Sequence, residues 1–127
     1  MNKELFFSEK KLKELFTQYG ICIKKEKGQN FLIDYNILRK LINAIGEDNE
    51  FILEIGSGPG NITIFLKDIA KRVVGIEVDR DFKPIHVDIE KRYPHVSFIY
   101  NDIRKIDILS IIKEEKVEKV KIVGNIP

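Results

Sequence analysis

Sulfur is scarce in this sequence. A single cysteine, Cys22, among 127 residues rules out an internal disulfide and any cysteine-cluster metal site. Cys22 reads as a small buried apolar residue in a reducing, cytoplasmic setting. No stretch approaches the roughly 20 apolar residues of a membrane span. The opening M-N-K-E-L-F-F-S-E-K-K lacks the apolar core of a secretion signal. Internal repeats and low-complexity segments are absent. So is any obvious set of metal ligands or nucleophiles. The two histidines, His86 and His95, fall in no motif and read as surface or boundary residues. What is left is 43% hydrophobic and 33% charged, as expected of one soluble globular domain with a real core.

Net charge is only +2, but it is unevenly placed. Residues 1–28 hold seven Lys and four Glu, a net of +3, and the remaining 99 residues carry a net of −1. A basic arm on a near-neutral body suits nucleic-acid phosphates. A solvated helix face accounts for the same charges, and charge alone does not choose.

Hydrophobic spacing predicts a helix over 8–19, capped by Ser8 and ended by Gly20, with Leu12, Leu15, Phe16 and Tyr19 on one stripe. A mixed loop follows over 21–33. Asp34 then caps a second helix carrying Leu38, Leu41, Ile42 and Ile45, closed by Gly46. From residue 51 the pattern alternates. F-I-L-E-I, V-V-G-I-E-V, V-S-F-I-Y and V-K-I-V-G read as strands. Between them come a helix with Phe65, Leu66 and Ile69, a helix from Asp81 to about Tyr93 with Pro84 in its first turn, and a short helix over 107–116. This alternation implies an α/β fold with a parallel sheet.

E-I-G-S-G-P-G, Glu54 to Gly60, sits between the first strand and its helix. Alternating glycines there permit a sharp turn and a ligand close to bare backbone. Glu77 ends the second strand, where a carboxylate can accept from both ribose hydroxyls. Asp102, after the third strand, is placed to accept from an adenine amine or simply to cap the next turn. A nucleoside ligand follows. The spacing G-x-G-x-G puts Asn61 where the dinucleotide pattern G-x-G-x-x-G has its last glycine, which favours S-adenosylmethionine over a dinucleotide.

The fourth strand runs into Asn125, Ile126 and Pro127. The expected strand order is 3-2-1-4, so this tip faces the reactive end of the ligand. The Asn125 side-chain carbonyl and the Ile126 backbone carbonyl can hold an exocyclic amine. Pro127 stiffens the turn and has no competing amide hydrogen. Catalysis would be chiefly positioning for in-line transfer. A plain strand-ending turn is the blander reading of the same residues.

G-Q-N-F-L (28–32), L-E-I-G-S-G-P-G-N-I-T (53–63), G-I-E-V-D-R-D (75–81), N-D-I (101–103) and G-N-I-P (124–127) together resemble the ribosomal RNA adenine N6-dimethyltransferases of the KsgA and Erm types. The resemblance covers about residues 24–127. It implies a Rossmann-like S-adenosylmethionine-dependent methyltransferase fold, S-adenosylmethionine as donor, and adenine N6 in rRNA as acceptor, with the small subunit favoured over the large. By position it implies that Asn30 and Leu32 line the methionine side of the pocket, with Gln29 and Phe31 shaping a lid. It further implies that Gly56 and Gly58 pack at the cofactor, Glu77 holds the ribose, Asp102 holds the adenine amine and Ile103 flanks the ring. Asn125, Ile126 and Pro127 begin the catalytic motif, and Lys24, Lys25 and Lys27 meet RNA.

The family motif's fourth residue, an aromatic platform for a flipped base, does not follow Pro127. The expectation is therefore an N-terminal fragment, poorly active alone. Residues 1–33 would be a helix, basic arm and lid, and residues 34–127 a partial methyltransferase domain ending after its fourth strand. That strand would be an exposed edge prone to self-association. Two alternatives stay open: a non-catalytic RNA-binding or ribosome-assembly module, and a methyltransferase for another amine.

Overall fold

Each of the four apolar runs forms a strand, and the first three are each followed by a helix that returns the chain across the sheet. The computed structural model describes residues 1–23 and 30–124. Strands β1 (Ile52–Ile55), β2 (Val73–Glu77), β3 (Val96–Tyr100) and β4 (Lys121–Gly124) are parallel, in the order β3-β2-β1-β4. This is the order expected from the sequence. Register pairs Ile55 with both Ile76 and Gly124, and Glu77 with Tyr100. The C-terminal strand tips, and the loops leaving them, therefore lie along one edge of the sheet.

Alternation along the strands divides the core in two. Ile52, Val73, Val96 and Phe98 face one side, where they pack with Leu12, Leu15 and Phe16 of α1 (Glu9–Gln18) and Ile45 of α2 (Tyr35–Ile45). Ile85 and Ile89 of α4 (Lys83–Arg92) join the same cluster, while α3 (Thr63–Leu66) contributes Ile64 and Leu66. Leu53, Val74 and Ile76 face the other side, covered by Ile108 and Ile111 of α5 (Ile108–Glu115). β1 and β2 are central and buried. Among the described residues β4 has β1 on one side only, and Ile122 is 53% exposed there.

The caps follow the sequence. Ser8 Oγ accepts the Lys11 amide at 3.4 Å, and Asp34 Oδ1 accepts the Asn36 amide at 2.9 Å. Two helices differ from expectation. The one after the glycine loop stops at Leu66, because the amides of Asp68 and Ile69 bond three residues back, to Phe65 and Leu66, and tighten the turn. Ile69 stays buried outside it. The helix expected from Asp81 begins as a 3-10 turn, Arg80–Phe82, and becomes α-helical only at Lys83, beside Pro84.

Two residues lie opposite to where the sequence placed them. Cys22 is exposed: after Gly20 the chain alternates, so that Ile21 takes the buried position and Cys22 points out. His86 is fully buried, because Phe82, Ile85, His86 and Ile89 share one inward stripe of α4. His95 is half-buried at a boundary, as expected.

Candidate functional site

The loop from Gly56 to Asn61 leaves β1 and folds over the tip of β2. The amides of Gly56 and Ser57 both donate to the Ile76 carbonyl, at 2.8 and 3.2 Å. Gly56, Gly58 and Gly60 all have positive φ, at 78°, 55° and 95°. Gly56 is exposed at the surface of the loop. Gly58 is buried, and a Cβ there would sit 2.8 Å from the ring of Phe31. Gly75, within β2, serves the same close packing from below. A Cβ there would meet Ser57 Oγ at 2.2 Å and the Phe98 ring at 2.9 Å.

Glu77 ties this loop to β2. One carboxylate oxygen accepts the Gly58 amide at 2.6 Å, and the other accepts the Asp79 amide at 2.9 Å. Each oxygen takes one N–H and keeps acceptor capacity for another donor. The side chain is therefore fixed in direction yet able to take a pair of hydroxyls. Val78 beside it is 70% exposed, a bare apolar side chain at the strand tip.

Glu54 lies under the loop, 2% exposed, and accepts a hydrogen bond from the Thr63 hydroxyl. Burial pushes its carboxyl up to about 7 against that hydrogen bond, and the nearby Glu77 charge adds to the rise. His86 approaches from α4. Its Nε2 lies 2.6 Å from the Gly58 carbonyl oxygen and its Nδ1 lies 2.8 Å from the Tyr100 hydroxyl. Burial lowers its pKa to about 4, so the ring is neutral near pH 7.

Phe31 anchors the segment before α2 onto the loop. Its ring meets Phe82 edge-on at 5.3 Å and Phe16 at 6.4 Å. Asn61, buried, donates from Nδ2 to the Phe31 carbonyl at 3.3 Å. The residue that breaks the dinucleotide glycine pattern thus joins the N-terminal segment to the loop. Asn30 is exposed and Leu32 is half-buried against the core.

Asp102 caps the 3-10 turn Ile103–Lys105 and accepts the Arg104 amide at 2.9 Å. Its carboxylate also takes the Arg104 guanidinium, which draws its pKa down to about 2. Ile103 is half-buried against the second core cluster. Gln29, Lys24, Lys25, Lys27, Asn125, Ile126 and Pro127 lie outside the described residues. No group of three metal-ligating side chains occurs among the described residues, and no described helix is long and apolar enough to cross a membrane.

Residues 21–127 match the ribosomal RNA adenine dimethylase family. The chain belongs to this family. It is 42% identical over 118 residues to the ribosomal RNA small subunit methyltransferase A of Geobacillus thermodenitrificans, covering 91% of this chain and 40% of that protein. The protein of the same name from Lysinibacillus sphaericus is 39% identical over 117 residues, covering 90% of this chain and 40% of the relative. The chain thus spans about two fifths of the length of the curated relatives it matches. Among solved structures it is similar to a dimethyladenosine transferase from Plasmodium falciparum, with TM-score 0.54 and 28% identity over 74% of this chain and 32% of that one. The 23S rRNA methyltransferase ErmE shares the fold at TM-score 0.52 and 21% identity, covering 59% of this chain and 31% of that one. The fold is the Rossmann-like one of S-adenosylmethionine-dependent methyltransferases.

Sequence reasoning missed His86, Tyr100 and Gly75. A signal existed for the first: a histidine in the Phe82–Ile85–Ile89 stripe belongs to the buried face. The need for glycine at 75 depends on the approach of Ser57 and Phe98, which only the folded chain supplies.

Proposed function

We propose that this chain forms the cofactor-binding part of an enzyme that methylates the N6 amine of adenines in rRNA, small-subunit rRNA before large, in the cytoplasm. Family membership and the Glu77-anchored glycine loop support this reading. The carboxylate of Glu77, held by two backbone amides with acceptor capacity to spare, carries it. A pair of vicinal ribose hydroxyls fits that donor demand.

In this reading Gly56 packs directly against the cofactor, while Gly58 sets the shape of the loop. Val78 and Ile103 flank the adenine, and Asp102 takes its amine, with the exposed Arg104 side chain swinging aside. Asn30 and Leu32, with Gln29, border the methionine end. Residues 1–33 form an arm and lid, and Lys24, Lys25 and Lys27 meet RNA phosphates.

S-adenosylmethionine, when bound, supplies an electrophilic methyl group on a sulfonium. Asn125 and Ile126 then hold the target amine through two carbonyl acceptors and turn its lone pair toward that methyl. Pro127 keeps the turn stiff. Positioning is the main contribution of these residues.

β4 is the edge strand of the sheet among the described residues, and we propose that a second copy pairs there in solution. The cofactor reading is tested by amide NMR. Adding S-adenosylmethionine shifts Gly56, Gly58, Glu77, Val78 and Ile103 together. Shifts confined to α1 and α5 would contradict it.

A further inference from the structure

Both backbone polar groups of Gly58 are taken by side chains from different elements. Its amide donates to Glu77 of β2, and its carbonyl accepts from His86 of α4, each at 2.6 Å. The carbonyl belongs to the Gly58–Pro59 peptide, which has no N–H of its own. Its one polar group is satisfied by a histidine.

The surroundings select a single neutral form of that histidine. A carbonyl can only accept, so Nε2 carries the proton. Nδ1 is then the acceptor, and the Tyr100 hydroxyl, 2.8 Å away, donates to it. The ring stacks on Phe98 with centroids 3.7 Å apart and planes within 4°. An aliphatic side chain would fill this point of the Phe82–Ile85–Ile89 stripe without burying polar atoms. What the imidazole adds is a directed hydrogen bond to the glycine loop.

We infer that His86 is a positioning residue for the cofactor loop: its ring, oriented by Tyr100 and Phe98, holds the Gly58 carbonyl and so fixes the backbone shape that receives the cofactor. The inference rests on the cofactor reading above for its functional consequence, and on the hydrogen bonds alone for its structural part. Gly58 at φ 55° has the torsional freedom to leave this geometry, and the ring removes that freedom from one side as Glu77 does from the other.

The test compares wild type, His86→Leu and His86→Gln. Leucine is apolar and has no donor, whereas glutamine restores a donor of similar reach. Three quantities are measured: S-adenosylmethionine affinity by calorimetry, melting temperature, and hydrogen exchange at Gly58 and Gly60. The expected result for His86→Leu is roughly three- to tenfold weaker binding and similarly faster exchange at Gly58, the scale of one hydrogen bond. His86→Gln recovers both, so that affinity follows the donor and not the melting temperature. Unchanged binding and exchange in His86→Leu overturn the inference, and so does equal loss in both variants. Should His86→Leu fail to fold, Tyr100→Phe carries the test. Without the hydroxyl the ring loses the hydrogen bond at Nδ1 that orients it toward the Gly58 carbonyl, and Gly58 exchanges faster; unchanged exchange overturns the inference. If wild type binds no S-adenosylmethionine, the cofactor reading falls, and exchange alone decides the role of His86.

Discussion

Glu77 accepts the Gly58 amide hydrogen at 2.6 Å, which joins the tip of β2 to the loop that leaves β1. The other carboxylate oxygen holds Asp79, so one side chain organises two turns. Glu77→Gln offers an NH₂ where one of those amides needs an acceptor. The substitution is predicted to lower unfolding stability by about 1–3 kcal/mol, the cost of a buried unmatched donor. Urea denaturation checks it, and a variant as stable as wild type would count against the clamp.

Phe31 sits on Gly58 closely enough to exclude a side chain there. Gly58→Ala places a methyl 2.8 Å from the ring at φ 55°. The backbone term alone costs about 1–2 kcal/mol, and the steric term adds to it. Combining Gly58→Ala with Phe31→Leu should relieve the clash but not the backbone strain. Thermal unfolding of the single and double variants reads this directly. If the double variant is no better than Gly58→Ala, the packing of Phe31 on the loop is wrong.

Two buried groups under the loop titrate with opposite effects on stability. His86 has its pKa lowered from 6.5 to about 4, so the unfolded chain binds more protons in that window and acid destabilises the fold. Glu54 has its pKa raised from 4.5 to about 7, so the folded chain binds more protons and rising pH destabilises it. Each slope approaches ~1.4 kcal/mol per pH unit. They oppose one another between pH 4.5 and 6.5 and should nearly cancel there. Glu54→Gln is predicted to leave stability falling as pH drops from 6.5 toward 4. His86→Gln should leave it falling as pH rises from 4.5 to 7. Denaturation midpoints across this range give both slopes. Asp68, Asp88, Asp102 and Asp107 are held below 3.8, so the stability they contribute is lost only at more acid pH.

The edge at β4 predicts association. Ile122 is half-exposed on a strand whose outer side has no partner among the described residues. Ile122→Lys should shift the chain toward monomer, since charge blunts an open edge. Sedimentation velocity over a concentration series measures it. A wild-type chain that is monomeric at every concentration would refute pairing through this strand.

Much of this architecture was legible in the residues. The four apolar runs and the caps at Ser8 and Asp34 follow from period, turn chemistry and the βα alternation, and the strand order is the one that the family resemblance implies. The glycine loop and Glu77 were legible as a pair because their spacing is set by one βαβ unit. The partners of Glu77 were not, since Gly58 and Asp79 come to it only when the loop folds over β2. Asn61 read as a departure from a motif, and its bond to Phe31 shows what it does instead. His86 was misplaced because a histidine outside any motif was weighed by residue type, when its position in an apolar stripe was the better guide. Asp102 had two readings in the sequence. The fold shows it capping the 3-10 turn and paired with Arg104, and its hold on adenine remains a proposal.

The central claim is that this chain builds an S-adenosylmethionine pocket around Glu77. Calorimetric titration of the chain with S-adenosylmethionine, beside Glu77→Ala, tests it most directly. The account predicts saturable one-to-one binding that is lost in the variant while its circular dichroism stays that of a folded chain. A folded wild-type chain that binds no S-adenosylmethionine, or a Glu77→Ala variant that binds as tightly as wild type, would contradict it.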